Sequence, residues 1–152
     1  MKKGLTFVEF LITVLLFSLI SAGVAQIFTL GNAVYSIEMS LADLQSHARN
    51  AMDRMVREIR ASSSVSVTVI NADSDRITFT TPTAANVSYY RNNNLLVREY
   101  PTGTMKNIAS NVARLKFTLT GSVLRIDLRT DQTMLGRPLT YSLSQKVRLR
   151  NE

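Results

Sequence analysis

Residues Leu5 to Leu30 read LTFVEFLITVLLFSLISAGVAQIFTL, and Glu9 is the one charged side chain among them. Coiled into a helix, an apolar run of this length is enough to cross the roughly 30 Å hydrocarbon core of a bilayer. It is nearly twice the length of a secretory signal core, which spans about 7 to 15 residues. Upstream lie only Met1, Lys2, Lys3 and Gly4. Basic residues on that flank predict an N-terminus held in the cytoplasm and a remainder that is exported. Two simpler readings compete. Gly23-Val24-Ala25 has the small-x-small character of a signal cleavage site, which would release a chain beginning at Gln26. Alternatively, the run is a plain signal anchor that tolerates Glu9 near the interface.

Glu9 is the residue that asks for an explanation. A carboxylate at the centre of a bilayer costs about 2.5 to 3.5 kcal/mol, less near the interface, so a cationic partner is expected. Were the chain cut between Gly4 and Leu5, it would gain an α-amino group with a reference pKa of about 8, mostly protonated near neutral pH. On a helix, Glu9 lies one turn from that amine, where the helix dipole also favours negative charge. The amine of a neighbouring copy could serve instead, and a pair between chains would fix their axial register.

Lys2-Lys3-Gly4 followed by Leu5-Thr6-Phe7-Val8-Glu9-Phe10-Leu11-Ile12 resembles the leader and first mature residues of type IV prepilins and type II secretion pseudopilins. The resemblance implies that a membrane prepilin peptidase cleaves between Gly4 and Leu5 and that the new Leu5 amine is methylated. It implies that Glu9 directs assembly. Leu5 departs from the family, which usually has phenylalanine or methionine there. The implied partners are the peptidase, other pilin-like subunits in a filament, an inner-membrane assembly platform and the lipid bilayer. The implied location is the cell membrane, single-pass with the C-terminal domain outside the cytoplasm, and then a pilus or pseudopilus.

Beyond Leu30 the charges return, but apolar residues recur at Leu30, Val34, Ile37, Leu41, Leu44, Ala48, Met52, Met55 and Ile59. Spacings of three and four mark a helical stripe. No proline occurs before Pro82, so one helix from Leu5 to Ala61 is predicted, about 85 Å long at ~1.5 Å per residue. Ser62-Ser63-Ser64 is its expected end. The stripe also suits a coiled coil, although its alanines interrupt any leucine seam. Major pilins often carry a proline in the apolar half; its absence favours a minor pilin or pseudopilin. Residues 51 to 60 and 147 to 151 are similar to the helix end and closing strand of the J-like and W-like groups of that family.

From Val65 the period changes to two. Strands are predicted at Val65–Ile70, Arg76–Thr80, Val87–Arg91, Leu95–Tyr100, Arg114–Thr120, Val123–Arg129 and Leu139–Arg150, joined by turns at Asn71–Asp75, Asn92–Asn94, Pro101–Gly103 and Gly121-Ser122. The expected class is α+β, a long N-terminal hydrophobic helix whose C-terminal half packs on an antiparallel meander, the type IV pilin-like fold. The expected division is a leader over 1–4, an apolar half-helix over 5–30, an amphipathic half-helix over 31–62 and a sheet domain over 63–152.

Chemistry is sparse in this region. It contains no nucleophile elbow, phosphate loop or dinucleotide fingerprint, and no catalytic residue or cofactor is expected. The chain has no cysteine and one histidine, His47, which rules out thiolate and all-histidine metal sites within one copy. Asp73, Asp75, Asp127 and Asp131 do not fit the EF-hand spacing and read as solvated turn residues. With a net charge of +7, Arg125, Arg129, Arg137, Arg148 and Arg150 could form a basic edge for DNA, and Tyr89, Tyr90, Tyr100 and Tyr141 are candidate stacking partners.

Overall fold

The computed structural model describes residues 6–149. Its first element, α1, spans Phe7–Arg60. Thr6 caps the start. At the other end, the Ser62 N–H and hydroxyl both donate to the Ile59 carbonyl, at 3.0 and 2.6 Å. One helix-end carbonyl, otherwise orphaned, is met twice there by a single buried serine. Gly23 and Gly31 lie within α1 without ending it.

The chain divides into two compact units after Met39. Among the described residues of the first, α1 has apolar side chains exposed all round the helix: Phe7 is 75% exposed, Phe17 71% and Ile27 71%. This helix is long and apolar enough to cross a membrane.

The second unit contains the rest of α1 and eight strands: β1 (Ser64–Asn71), β2 (Ser74–Thr81), β3 (Ala84–Asn92), β4 (Leu95–Glu99), β5 (Met105–Ala109), β6 (Val112–Thr120), β7 (Val123–Met134) and β8 (Arg137–Arg148). From Leu44 on, the helical stripe is buried. Met52, Met55 and Ile59 are fully enclosed, and Ala51 and Val56 join the stripe. They pack with Ile77, Phe79, Tyr89, Leu115, Leu124 and Ile126 in one core. Val34, predicted to continue the stripe, is instead half-exposed at 54%.

The α+β class holds, but the all-antiparallel meander needs correcting. The sheet order is β5-β4-β3-β2-β6-β7-β8, with β1 on β2, and β2 meets β6 in parallel through Ser74 and Leu115. Ser74 also pairs with Asn71 of β1, so β6 shares the other edge of β2 with β3, which takes it from Arg76 onward. Strand β5 was not anticipated: MKNIA has weak alternation and only two aliphatic residues. Strand β7 runs five residues past its predicted end because it turns at Leu135-Gly136, where φ is 50° and 74°. Two successive positive φ values suit a two-residue hairpin of the kind that normally carries Asn-Gly, and leucine hides that signal.

Candidate functional site

The first turn of α1 is held by a reciprocal cap. The Thr6 N–H and hydroxyl donate to Glu9 Oε2 at 2.8 and 2.9 Å, and the Glu9 N–H donates back to Thr6 Oγ1 at 3.3 Å. The sequence Thr6-Phe7-Val8-Glu9 is therefore a capping box, satisfying helix-start donors from both sides. Thr13 continues the polar line, its hydroxyl donating to the Glu9 carbonyl at 2.7 Å. Both cap hydrogen bonds land on Oε2, and the carboxylate has lone-pair capacity for a further donor. Glu9 can thus cap its own helix and still accept from a cation outside it. Lys2, Lys3, Gly4 and Leu5, the residues expected to take part in processing, lie outside the described residues, as does Arg150.

Comparison with protein families, curated proteins and solved structures yields no match. The chemistry of the site therefore rests on its own residues.

The four aspartates expected in solvated turns have separate fates. Asp75 is a correction: it is 2% exposed and sits where β3 and β6 divide the edge of β2. Its carboxylate accepts the Phe117 N–H at 2.9 Å and Lys116 Nζ at 2.8 Å. Lys116 also reaches the Asn71 carbonyl at 3.1 Å. One buried acid thus fastens β2 to β6 where the ladder has a single bridge. Its position, two residues past a turn aspartate, gave no sequence signal of burial. Asp73 remains exposed and meets Arg114 loosely, at 3.7 Å. Asp127 and Asp131 are strand residues, not turn residues: Asp127 lies within the strand already predicted at Val123–Arg129, and Asp131 joins it because β7 extends to Met134. Among the described residues no group of three potential ligands could hold a metal ion.

The arginines proposed as a basic edge are divided as well. Arg125 Nε pairs with Asp127 at 2.9 Å, and Arg129 grips Asp131 through two hydrogen bonds at 2.9 and 2.8 Å. The Arg129 guanidinium holds the Asp131 carboxyl below the usual carboxylate range. Arg137 and Arg148 stand at opposite ends of β8. An open hollow of about 560 Å³ lies over this face, lined in part by Arg114, Lys116, Arg125 and Arg129. All four of these cations have acidic partners, which reduces their availability to phosphate.

Three of the four candidate tyrosines have ring faces engaged within the fold, and the fourth, Tyr141, is half-buried and accepts from Arg49 Nε at 3.4 Å. Tyr89 is buried and stacks on Phe79 at 5.9 Å between ring centroids. Burial, followed by the nearby Glu58 charge, pushes its hydroxyl well above the ordinary tyrosine range. Tyr90 lies beneath the Arg76 guanidinium at 4.3 Å and Tyr100 beneath that of Arg98 at 5.6 Å. Glu58, which the sequence did not single out, joins α1 to β4 by accepting from Arg98 Nε at 2.8 Å.

Proposed function

We propose that this chain is a non-catalytic, membrane-inserted subunit of a type IV pilin-like filament, of the minor pilin or pseudopilin kind. Prepilin peptidase cuts it between Gly4 and Leu5, with Lys2 and Lys3 holding the leader in the cytoplasm, and the Leu5 amine is methylated. The observation that carries this reading is the segment of α1 from Phe7 to Leu30, apolar and exposed on every side, with a single carboxylate in its first turn. Exposed apolar surface on this scale needs lipid or other helices around it. A filament subunit uses both in turn, first as a membrane anchor and then in a bundle of its own kind. The succession of a long helix and a mostly antiparallel sheet is compatible with the pilin-like fold.

Glu9 supplies the register in this scheme. While Thr6 holds one carboxylate oxygen, the group accepts the Leu5 amine of an adjacent subunit as the helix leaves the membrane. Two substitutions test the proposal in cells that carry the peptidase and the assembly platform. Gly4→Ala is expected to leave the full-length chain in the membrane. Glu9→Val is expected to be processed and inserted but lost from sheared filaments. Normal incorporation of Glu9→Val would remove the register role, and normal filaments from unprocessed Gly4→Ala would remove the cleavage.

A further inference from the structure

Three strands leave one edge unpaired among the described residues: β5, β8 and β1. Natural sheets blunt such edges with charge or proline, because an open row of N–H and C=O groups recruits other strands. Strand β5 carries Lys106 within its five residues, whereas β8 carries its guards, Arg137, Pro138, Lys146 and Arg148, at its two ends and leaves its middle unguarded. Strand β1 reads SVSVTVIN, without charge, proline or glycine. Val69 and Ile70 on it are 68% and 51% exposed. An unguarded edge rich in β-branched residues is a surface built for strand addition.

Strand directions select the occupant. Strand β1 runs antiparallel to β2, β2 is parallel to β6, and β6-β7-β8 alternate. Therefore β8 is antiparallel to β1, on the opposite side of the sheet. The chain β2-β3-β4-β5 makes β5 parallel to β1. Copies arranged head to tail in one orientation bring β1 of one copy against β8 of the next, in the antiparallel sense that pairs more stably. The faces match too. On β1, Val65 and Val67 pack toward the core while Ser66 and Thr68 are exposed; on β8, Tyr141 and Leu143 pack inward while Ser142 and Ser144 are exposed. The middle of β8, Leu139 to Gln145, is uncharged, and the cations that flank it meet no cation on β1.

We propose that β1 receives β8 of a second copy, so that neighbouring globular domains share one continuous sheet. This rests on the filament reading only for the common orientation of the copies. The chain has no cysteine, so introduced thiols report without background. Full-length Thr68→Cys and Ser142→Cys variants, co-expressed, would be treated with a short bismaleimide in membranes and in sheared filaments. Both positions are exposed and leave the core untouched.

The expected result is a mixed crosslinked dimer, absent when either variant is expressed alone, and a ladder of multimers when both thiols are on one chain. Adding Ser66→Lys is expected to abolish the crosslink, whereas Ser66→Thr is expected to keep it. A crosslink from Thr68→Cys alone would replace the proposal by β1 pairing with itself. No crosslink in either preparation, with thiols reactive and chains folded, would overturn it. Filaments that form without the crosslink would sink this contact and leave the filament reading standing. A crosslink in membranes without filaments would do the reverse.

Discussion

At the level of single residues, short polar contacts set both the start of the helix and the junction of the sheet. Thr6 and Glu9 cap α1 together, so Thr6→Ala is expected to cost the first turn about 1 kcal/mol. Amide exchange of residues 7 to 10 in micelles would show it as faster exchange confined to that turn. Asp75 matters more. Asp75→Ala leaves the buried Phe117 N–H without its acceptor and strips Lys116 of its carboxylate partner, leaving it the Asn71 carbonyl, with an expected loss of about 3 kcal/mol in denaturant unfolding. Loss below about 0.5 kcal/mol would deny the carboxylate its fastening role. Asp131 is titrated more gently. Its folded pKa lies below its unfolded one because of Arg129, so its contribution is complete above about pH 4 and disappears as the pH falls through the folded value. The pair is substantially exposed, which limits the effect to under about 1 kcal/mol, and Asp131→Asn should flatten this acid limb. Leu135 holds φ at 50° in an exposed hairpin turn. Leu135→Asn, creating Asn-Gly, is expected to stabilise by about 1 kcal/mol.

Among the elements, α1 was the most legible, because its two determinants are local. An unbroken apolar run and a three-four stripe need no knowledge of partners, and both ends of the helix fall within a residue or two of their sequence signals. The stripe's reach was less legible. Val34 keeps the spacing but is exposed, whereas Met55 and Ile59 are enclosed, since periodicity marks a face without saying where a sheet begins to cover it. Met55→Ala is therefore expected to cost about 2 to 5 kcal/mol, while Val34→Ala should change unfolding of the detergent-solubilised chain by under about 0.5 kcal/mol. The strands were found where valine, isoleucine and threonine alternate. Strand β5 and the end of β7 were missed, the one for want of alternation and the other because leucine occupies a turn position. The parallel contact of β2 with β6, and Asp75 at its junction, depend on residues some forty positions apart, which no local pattern reveals.

For the molecule as a whole, the candidate site is a short stretch of sequence whose meaning lies in what surrounds it. Glu9 and its cap are visible in the structure; the residues around the proposed cut, Lys2 to Leu5, were legible only as a resemblance. An apolar helical segment exposed on all sides, followed by a folded α+β domain, suits a subunit that exchanges lipid for protein neighbours. The basic face suits a separate role less well, because Arg125 and Arg129 are already engaged. The most direct test is the intact mass of the chain recovered from membranes that contain prepilin peptidase. The expected species begins at Leu5, with residues 1 to 4 removed and one methyl group on the new amine. A chain retaining Met1 to Gly4, or one starting at Gln26 with the apolar segment discarded, would contradict this.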